Sequence, residues 1–479
     1  MPENPSKQAH SEALSDIMLA SAHNVRAVLA GRSLSDSLAT TPSALRAPAQ
    51  AVAFHTMRQL GLAREIKQIL VRRQPPDALV DAMLLVALAL LDTAAEYAAA
   101  DGQGPEGALP GDAPRGRRPD RTSQHRDDAS RPGDPRRYQP VYAPHTVVDQ
   151  AVKAMDSQRS LRPFKALLNG TLRTFLRERP SILTQARQNP EAFYNHPEWW
   201  IEKLRRAYPA QWEQLLEAAN LPGPMILRVN VRRSSVAEML RALEEAGIDA
   251  FQAGPDALAL VAPRPVQAIP GFEQGWWSVQ DLAAQKAARL LPLQPGMRVL
   301  DACAAPGGKT AHILERVDVE LTALDADAQR LERVRQNLQR LGLDGPSVQM
   351  VCADAADLSA WWDGQAYDAV LADVPCTASG VLRRHPDIRW LRRERDIPRT
   401  AALQGRIVDA LWQTVRPGGH LLYATCSIFP QEGELQAVQF AKRHADASRL
   451  DAPGQMLPLP DGEKVTQDGF FYALFAKKA

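Results

Sequence analysis

The sequence predicts an α/β domain built on a parallel sheet, preceded by an all-α region and a small α+β connector. Three observations point there. From Gln274 onward, short apolar strands alternate with amphipathic helices, the pattern of a parallel sheet with helical crossovers. Residues 14–96 instead repeat their apolar positions at helical spacing. The length, 479 residues, exceeds what one ordinary core organises. Hydrophobic content of 45% and charged content of 23% are globular values, which excludes wholesale disorder, collagen and coiled coil. The expected divisions are 1–180 helical, 181–270 connecting and 271–479 α/β.

In chain order, Met1–His10 is polar and lacks the basic-then-apolar pattern of a secretory signal. Helical periodicity runs through Ile17–Leu29 and Ala78–Leu91. The longest apolar run, Met83–Leu91, is about half the length of a bilayer span. No membrane association is expected, and the cytoplasm is the expected compartment. Asp101–Pro140 then holds seven Pro and six Gly but only five apolar residues. It cannot bury enough surface to offset its ordering entropy, so a disordered insertion is expected. A helical pattern resumes at Ala143–Arg179, with seven basic and three acidic residues. In the connector, helices are expected at Trp199–Tyr208 and Ser235–Ala246, and strands at Met225–Val231 and Leu258–Val261. The α/β domain should place strands at Arg298–Ala302, Leu321–Asp325, Val348–Cys352, Tyr367–Ala372 and His420–Ala424. Its helices should lie at Lys309–Arg316, Ala328–Leu341 and Thr400–Val415.

Ligands of such sheets sit beyond the carboxyl ends of the strands, so those ends carry the candidate chemistry. The first strand ends in Asp301-Ala302-Cys303-Ala304-Ala305-Pro306-Gly307-Gly308-Lys309-Thr310. Small residues there let backbone approach a ligand, and the next helix offers free N–H groups. A P-loop needs Gly six residues before its Lys, where this chain has Cys303, and the three-glycine dinucleotide fingerprint is absent. That disfavours a nucleotide hydrolase. The second strand ends at Asp325, suited to ribose hydroxyls, with Asp327 as the helix N-cap alternative. The third ends near Asp354, which can reach an exocyclic amine. An acid after each of three strands, beside a small-residue turn, is the pattern of a Rossmann-like S-adenosylmethionine methyltransferase fold. Lys309 is a candidate cofactor contact or an ordinary helix N-terminal residue.

Four cysteines, Cys303, Cys352, Cys376 and Cys426, lack the paired spacing of a disulfide framework or zinc site, and no metal is expected. Cys352 reads as a small buried hydrophobe. Cys376, in Asp373-Val374-Pro375-Cys376, and Cys426, in Thr425-Cys426-Ser427, follow the fourth and fifth strands and read as reactive. Cytosine carbon 5 is a poor nucleophile until a group adds at carbon 6, and a thiolate can add there. Asp373 can hydrogen-bond ring nitrogen 3 and favour the addition.

These motifs resemble the bacterial small-subunit ribosomal RNA cytosine-C5 methyltransferase B family, also called Sun or Fmu. The matching stretches are Asp301–Thr310, Asp373–Cys376, Arg384–Trp390, Tyr423–Ser427 and Asp468–Tyr472. Leu227–Asn230, Gly271–Glu273 and Ser278–Asp281 fit upstream. The resemblance implies an N-terminal NusB-like RNA-binding domain, with Asp101–Pro140 as an insertion. It implies S-adenosyl-L-methionine as cofactor, held around Cys303–Lys309, Asp325, Asp354 and Asp373. It implies Cys426 as nucleophile and Cys376 as the residue that assists product release. DNA cytosine methyltransferases use the Pro-Cys cysteine instead, so the two-cysteine arrangement implies RNA, here 16S ribosomal RNA, with a monomeric enzyme expected. The competing reading is an antitermination-like RNA-binding factor whose α/β domain is not catalytic.

The net charge of +2 conceals segregation. Val141–Pro180 and Val381–Thr400 are each +4, whereas Leu341–Ser379 is −6. Because the second basic cluster directly follows the Cys376 loop, Arg383, Arg384, Arg389, Arg392 and Arg393 are expected to grip RNA phosphates.

Overall fold

The computed structural model describes residues 12–100, 139–459 and 467–479. Almost all of the expected insertion, residues 101–138, therefore lies outside the described residues. The chain divides into two compact units. One comprises residues up to Ile201 together with His385–Leu391; the other comprises Glu202–Arg384 and Arg392–Ala479.

The first unit is all-helical. Its helices are α1 (Leu14–Leu29), α2 (Leu34–Ala39), α3 (Ser43–Arg58), α4 (Leu60–Leu70), α5 (Ala78–Ala100), α6 (Pro144–Ser157), α7 (Lys165–Ala186) and α8 (Pro190–Tyr194). Helix α5 is apolar on every side because it is the core: Leu79 to Ala94 is buried throughout, with α1, α3, α4, α6 and α7 packed around it. It is long and apolar enough to cross a membrane, yet 89% of its most apolar window is buried within the protein. Helix α7 continues past Pro180, where a domain boundary was expected. A proline removes one N–H, and the last turn is kept by the Ile182, Leu183 and Ala186 contacts with the core.

His385–Leu391 packs into this helical core. Asp387 accepts the Leu34 amide at 2.9 Å, Trp390 Nε1 donates to the Met57 carbonyl at 2.8 Å, and Arg389 donates to the Asn195 carbonyl at 3.1 Å. Arg64 lies 5.0 Å from the Trp390 ring.

The second unit holds two sheets. The smaller comprises β1 (Ile226–Val229), β2 (Ala250–Gly254), β3 (Ala257–Leu260) and β4 (Trp277–Val279), in the order β2-β3-β1-β4, all neighbours antiparallel. Its helix Val236–Glu245 starts at a Ser235/Glu238 capping box. The larger sheet comprises β5 (Arg298–Ala302), β6 (Glu320–Asp325), β7 (Val348–Cys352), β8 (Tyr367–Asp373), β9 (Val415–Thr425), β10 (Ala447–Met456) and β11 (Phe470–Lys477). Its order is β10-β11-β9-β8-β5-β6-β7. Strands β5 to β9 are parallel, whereas β10 and β11 run antiparallel and extend the sheet beyond the five strands expected from sequence.

Alternate residues of the central strands enter two separate cores. Val299, Leu371 and Leu422 face one; Leu300, Val370 and Leu421 face the other. A sheet buried on both faces must expose its chemistry at its ends. The strand order reverses at β5, flanked by β6 and β8, so a crevice opens beyond the carboxyl end of that strand.

Candidate active site

Every structural feature of the crevice begins at a strand end. After β5 the chain turns sharply, with Cys303 at φ 61° and Gly307 at φ 92°. A Cβ on Gly307 would press on Val334, which explains glycine there. The turn is pinned from β6: Asp325 accepts the Ala305 amide at 3.0 Å and the Asp327 amide at 3.1 Å. Arg330 donates to the Ala305 carbonyl at 2.9 Å. Asp327 caps the helix Ala328–Leu341 through the Gln329 and Arg330 amides, whereas buried Asp325 holds the turn.

Asp301 is fully buried and accepts the Thr310 hydroxyl at 2.6 Å through one oxygen. Its other oxygen has no hydrogen-bond partner among the described residues. Burial, with the Asp373 and Asp325 charges close by, pushes its carboxyl up to about 7. Lys309 sits on the first turn of the helix Gly308–Arg316 and donates to Asp373 at 2.7 Å, with the Phe470 ring 5.3 Å away. Burial opposes its charge, but the Asp373 carboxylate outweighs burial and the ammonium is held above its ordinary range.

The two cysteines meet. In the β8–β9 register Asp373 pairs with Ala424, so Cys376 and Cys426 leave neighbouring parallel strands at the same end. Their Sγ atoms lie 3.4 Å apart, both half-buried. The hydrogen bond with Cys426, burial and the Glu432 charge hold the Cys376 thiol well above its ordinary range. Behind them is a carboxylate that sequence reasoning missed. Glu432, fully buried on the turn Pro430–Glu432, accepts the Thr377 amide and hydroxyl and the Ser427 hydroxyl. An acid five residues beyond Ser427, shortly after the apolar Ile428-Phe429-Pro430, was the available signal.

Other expectations change. Cys352 is exposed, not buried, because β7 is the edge strand of the sheet. Asp354 is exposed after β7 and accepts the Ala356 amide at 2.9 Å. Cys303 is partly covered, and burial beside Asp373, Asp325 and Asp301 raises its thiol pKa.

The arginine cluster is largely not a solvated face. Arg383 is buried against Asp468 at 3.1 Å, and Arg384 bridges Asp468 and Asp281. Arg389 is fully buried in the helical unit, where burial and nearby Arg58 push its pKa down to about 9. Arg392 is half-buried and donates to the Thr377 carbonyl at 3.1 Å. Only Arg393 of the five is exposed. Acids more than 80 residues distant in sequence neutralise Arg383 and Arg384, so the local charge count overstates the cluster. Among the described residues, no group of His, Cys, Asp and Glu is placed to hold a metal ion.

Comparison with known proteins places this arrangement. Residues 288–476 match the family 16S rRNA methyltransferase RsmB/F, and residues 196–267 match the ferredoxin-like domain of RsmF/B-like methyltransferases. Ribosomal RNA small subunit methyltransferase B of Vibrio cholerae serotype O1 is 45% identical over 341 residues, 70% of this chain and 77% of that protein. The chain belongs to this family. The RsmB protein of Erwinia tasmaniensis is 47% identical over 324 residues, 66% of this chain and 73% of that one. In fold, the RsmB-family chain is similar to the crystal structure of PH0851, with a TM-score of 0.70 at 22% identity over 97% of this chain and 99% of the other. A methyltransferase homolog from Pyrococcus horikoshii gives a TM-score of 0.51 at 26% identity over 60% and 97%. This RsmB-family member is accordingly a ribosomal RNA methyltransferase with a Rossmann-like catalytic domain and a helical N-terminal region.

Proposed function

We propose that this enzyme transfers a methyl group from S-adenosyl-L-methionine to carbon 5 of a cytosine in 16S ribosomal RNA, with Cys426 as nucleophile. The observation that carries the reading is the 3.4 Å approach of Cys426 and Cys376 beside the Lys309–Asp373 pair.

The crevice fits the cofactor. In this reading the turn Cys303–Lys309 lies against the adenosyl group, Asp325 accepts the ribose hydroxyls, and Asp354 follows the neighbouring strand. One buried oxygen of Asp301, which has no hydrogen-bond partner among the described residues, is a polar position on the strand that leads into this turn. When bound, the cofactor supplies an electrophilic sulfonium methyl.

Cys426 sulfur bonds to carbon 6 of the cytosine, and the proton needed at ring nitrogen 3 comes through Asp373, in contact with proton-bearing Lys309. Carbon 5, now an enamine carbon, takes the methyl and leaves S-adenosylhomocysteine. Loss of the carbon 5 proton, assisted by Cys376, breaks the carbon–sulfur bond and returns the Cys426 thiolate, and ring nitrogen 3 gives its proton back through Asp373. The target base must lie in a loop or be flipped from its stack. The helical unit is assigned a NusB-like RNA-binding role, and a cytoplasmic location follows from the ribosomal substrate.

The test uses radiolabelled S-adenosylmethionine and unmodified 16S ribosomal RNA. Native protein should transfer label, Cys426→Ala should abolish transfer, and Cys376→Ala should accumulate a covalent protein–RNA adduct. Transfer persisting in Cys426→Ala overturns the assignment.

A further inference from the structure

We infer that Glu432 is a positioning residue that fixes the two reacting thiols relative to each other. The inference builds on the reading of Cys426 and Cys376 as those thiols. Thr377 and Ser427 each directly follow one of the cysteines, and a single carboxylate holds both. Glu432 Oε1 accepts the Thr377 amide at 2.8 Å. Its Oε2 accepts the Thr377 hydroxyl and the Ser427 hydroxyl, the latter at 2.6 Å. The carboxylate therefore spans the gap between the loops that leave β8 and β9.

The residue itself is fixed from behind. Its carbonyl accepts the Tyr423 hydroxyl at 2.7 Å and the Thr425 hydroxyl at 3.2 Å, both from β9. The Tyr423 hydroxyl oxygen also lies 3.1 Å from Gln404 Oε1, and Gln404 donates to the Pro375 carbonyl at 2.8 Å, closing a ring around the Cys376 loop. A second tie joins the same loops: Ser379 and Ser427 hydroxyls lie 2.9 Å apart, and the Gly380 amide donates to the Cys426 carbonyl at 2.9 Å.

Burial disfavours the Glu432 charge and raises its pKa. The Ser427 and Thr377 hydrogen bonds and the nearby Arg392 guanidinium act the other way. Arg392 reaches the same loop by donating to the Thr377 carbonyl. Besides Cys426, this carboxylate is a charged neighbour that raises the Cys376 thiol. Glu432 thus has two effects on Cys376: hydrogen bonds set its place, and negative charge opposes its ionisation. Addition needs Cys426 as the ionised sulfur, so a device that keeps Cys376 protonated at that stage, with both thiols in register, suits the reaction; once Cys426 is bonded to carbon 6, the hydrogen bond and charge it places on Cys376 are gone.

The test compares Glu432→Gln, which keeps the shape without the charge, with Glu432→Ala, which loses both. Alkylation of each cysteine by iodoacetamide, resolved by mass spectrometry across pH, needs no RNA. In Glu432→Gln the Cys376 alkylation midpoint should move to lower pH. In Glu432→Ala kcat for methyl transfer should fall about 10²-fold, the scale of a small misplacement of reacting groups, with KM for RNA and cofactor unchanged. Glu432→Gln should retain more activity than Glu432→Ala. If Glu432→Ala does not fold, Glu432→Gln decides alone, through its thiol midpoint and its kcat-to-KM pattern. An unmoved Cys376 midpoint, or native kcat in both variants, overturns the inference. Transfer surviving Cys426→Ala would instead overturn the nucleophile assignment, while the alkylation midpoints would still report on Glu432.

Discussion

Replacing Arg228 should loosen the cofactor turn from a distance. Arg228 lies on β1, in the small sheet, and is fully buried. Its guanidinium forks onto Glu315 with N–O distances of 2.8 and 2.7 Å, at 0% and 1% side-chain exposure. It also donates to Gln280 and, at 2.7 Å, to the carbonyl of Gly308. Gly308 opens the helix that carries Lys309, so this arginine joins the small sheet to the crevice. Arg228→Met keeps most of the volume but strands Glu315 as a buried, uncompensated charge, at a cost of roughly 3–5 kcal/mol. Local opening should then become roughly 10²- to 10⁴-fold more frequent. Hydrogen exchange of peptides covering 226–230 and 308–316 reads this directly and does not depend on how the rest of the chain unfolds. The double variant Arg228→Met/Glu315→Leu should recover most of the loss, leaving about 1–3 kcal/mol for the bare Gly308 and Gln280 oxygens. Burial already raises the Glu315 carboxyl and Arg228 lowers it, so removing Arg228 raises it further. The penalty in Arg228→Met is therefore full above that raised pKa and shrinks as pH falls through it. Native exchange rates in the single variant, or a double variant that opens as readily as the single, would refute the reasoning.

Three further outcomes are expected. Asp301, raised to about 7 in the fold, favours its protonated form there, so native stability should fall between pH 4 and pH 7 relative to Asp301→Asn. The difference is about 4 kcal/mol at most, read from melting curves across pH, and a constant offset would contradict it. Gly380→Ala should abolish methyl transfer and lower the melting temperature, because its Cβ would overlap the Gly469 carbonyl. Arg393→Ala should reduce the salt dependence of RNA binding by about one phosphate contact, whereas Arg384→Ala, which breaks the bridge to Asp468 and Asp281, should chiefly lower stability. Salt titrations with parallel melting curves separate the two.

The central strands were legible because they are short apolar runs that alternate with amphipathic helices. Strand β5 and the helix Ala328–Leu341 match their expected bounds. The cysteines were legible as strand-end residues, since parallel neighbours deliver their ends to one side. Strand order was not: Cys352 is exposed because β7 is an edge, and nothing local to Val348–Cys352 says which strand lacks a neighbour. The arginines failed for a related reason. Counting charge in a window treats each side chain as solvated, while the acids that neutralise Arg383 and Arg384 lie beyond the window, at Asp281 and Asp468. Pro180 misplaced a boundary because a lone proline breaks a helix only when tertiary contacts do not hold the next turn. Glu432 was missed because its partners, Thr377 and Ser427, are ordinary polar residues until the sheet brings their loops together.

The excursion of His385–Leu391 into the helical unit constrains how the protein is made. Helix α2 gains the Asp387 carboxylate at its first amide, and Met57 gains its indole partner, only from residues more than 300 positions later. A nascent chain that has finished the N-terminal helices still lacks this last wedge until synthesis passes the Cys376 loop. The helical unit is therefore completed late, and cutting the gene between the units would leave buried Arg389 and half-buried Trp390 on the wrong fragment. Production of the helical unit alone should call for residues 385–391 to be supplied in trans.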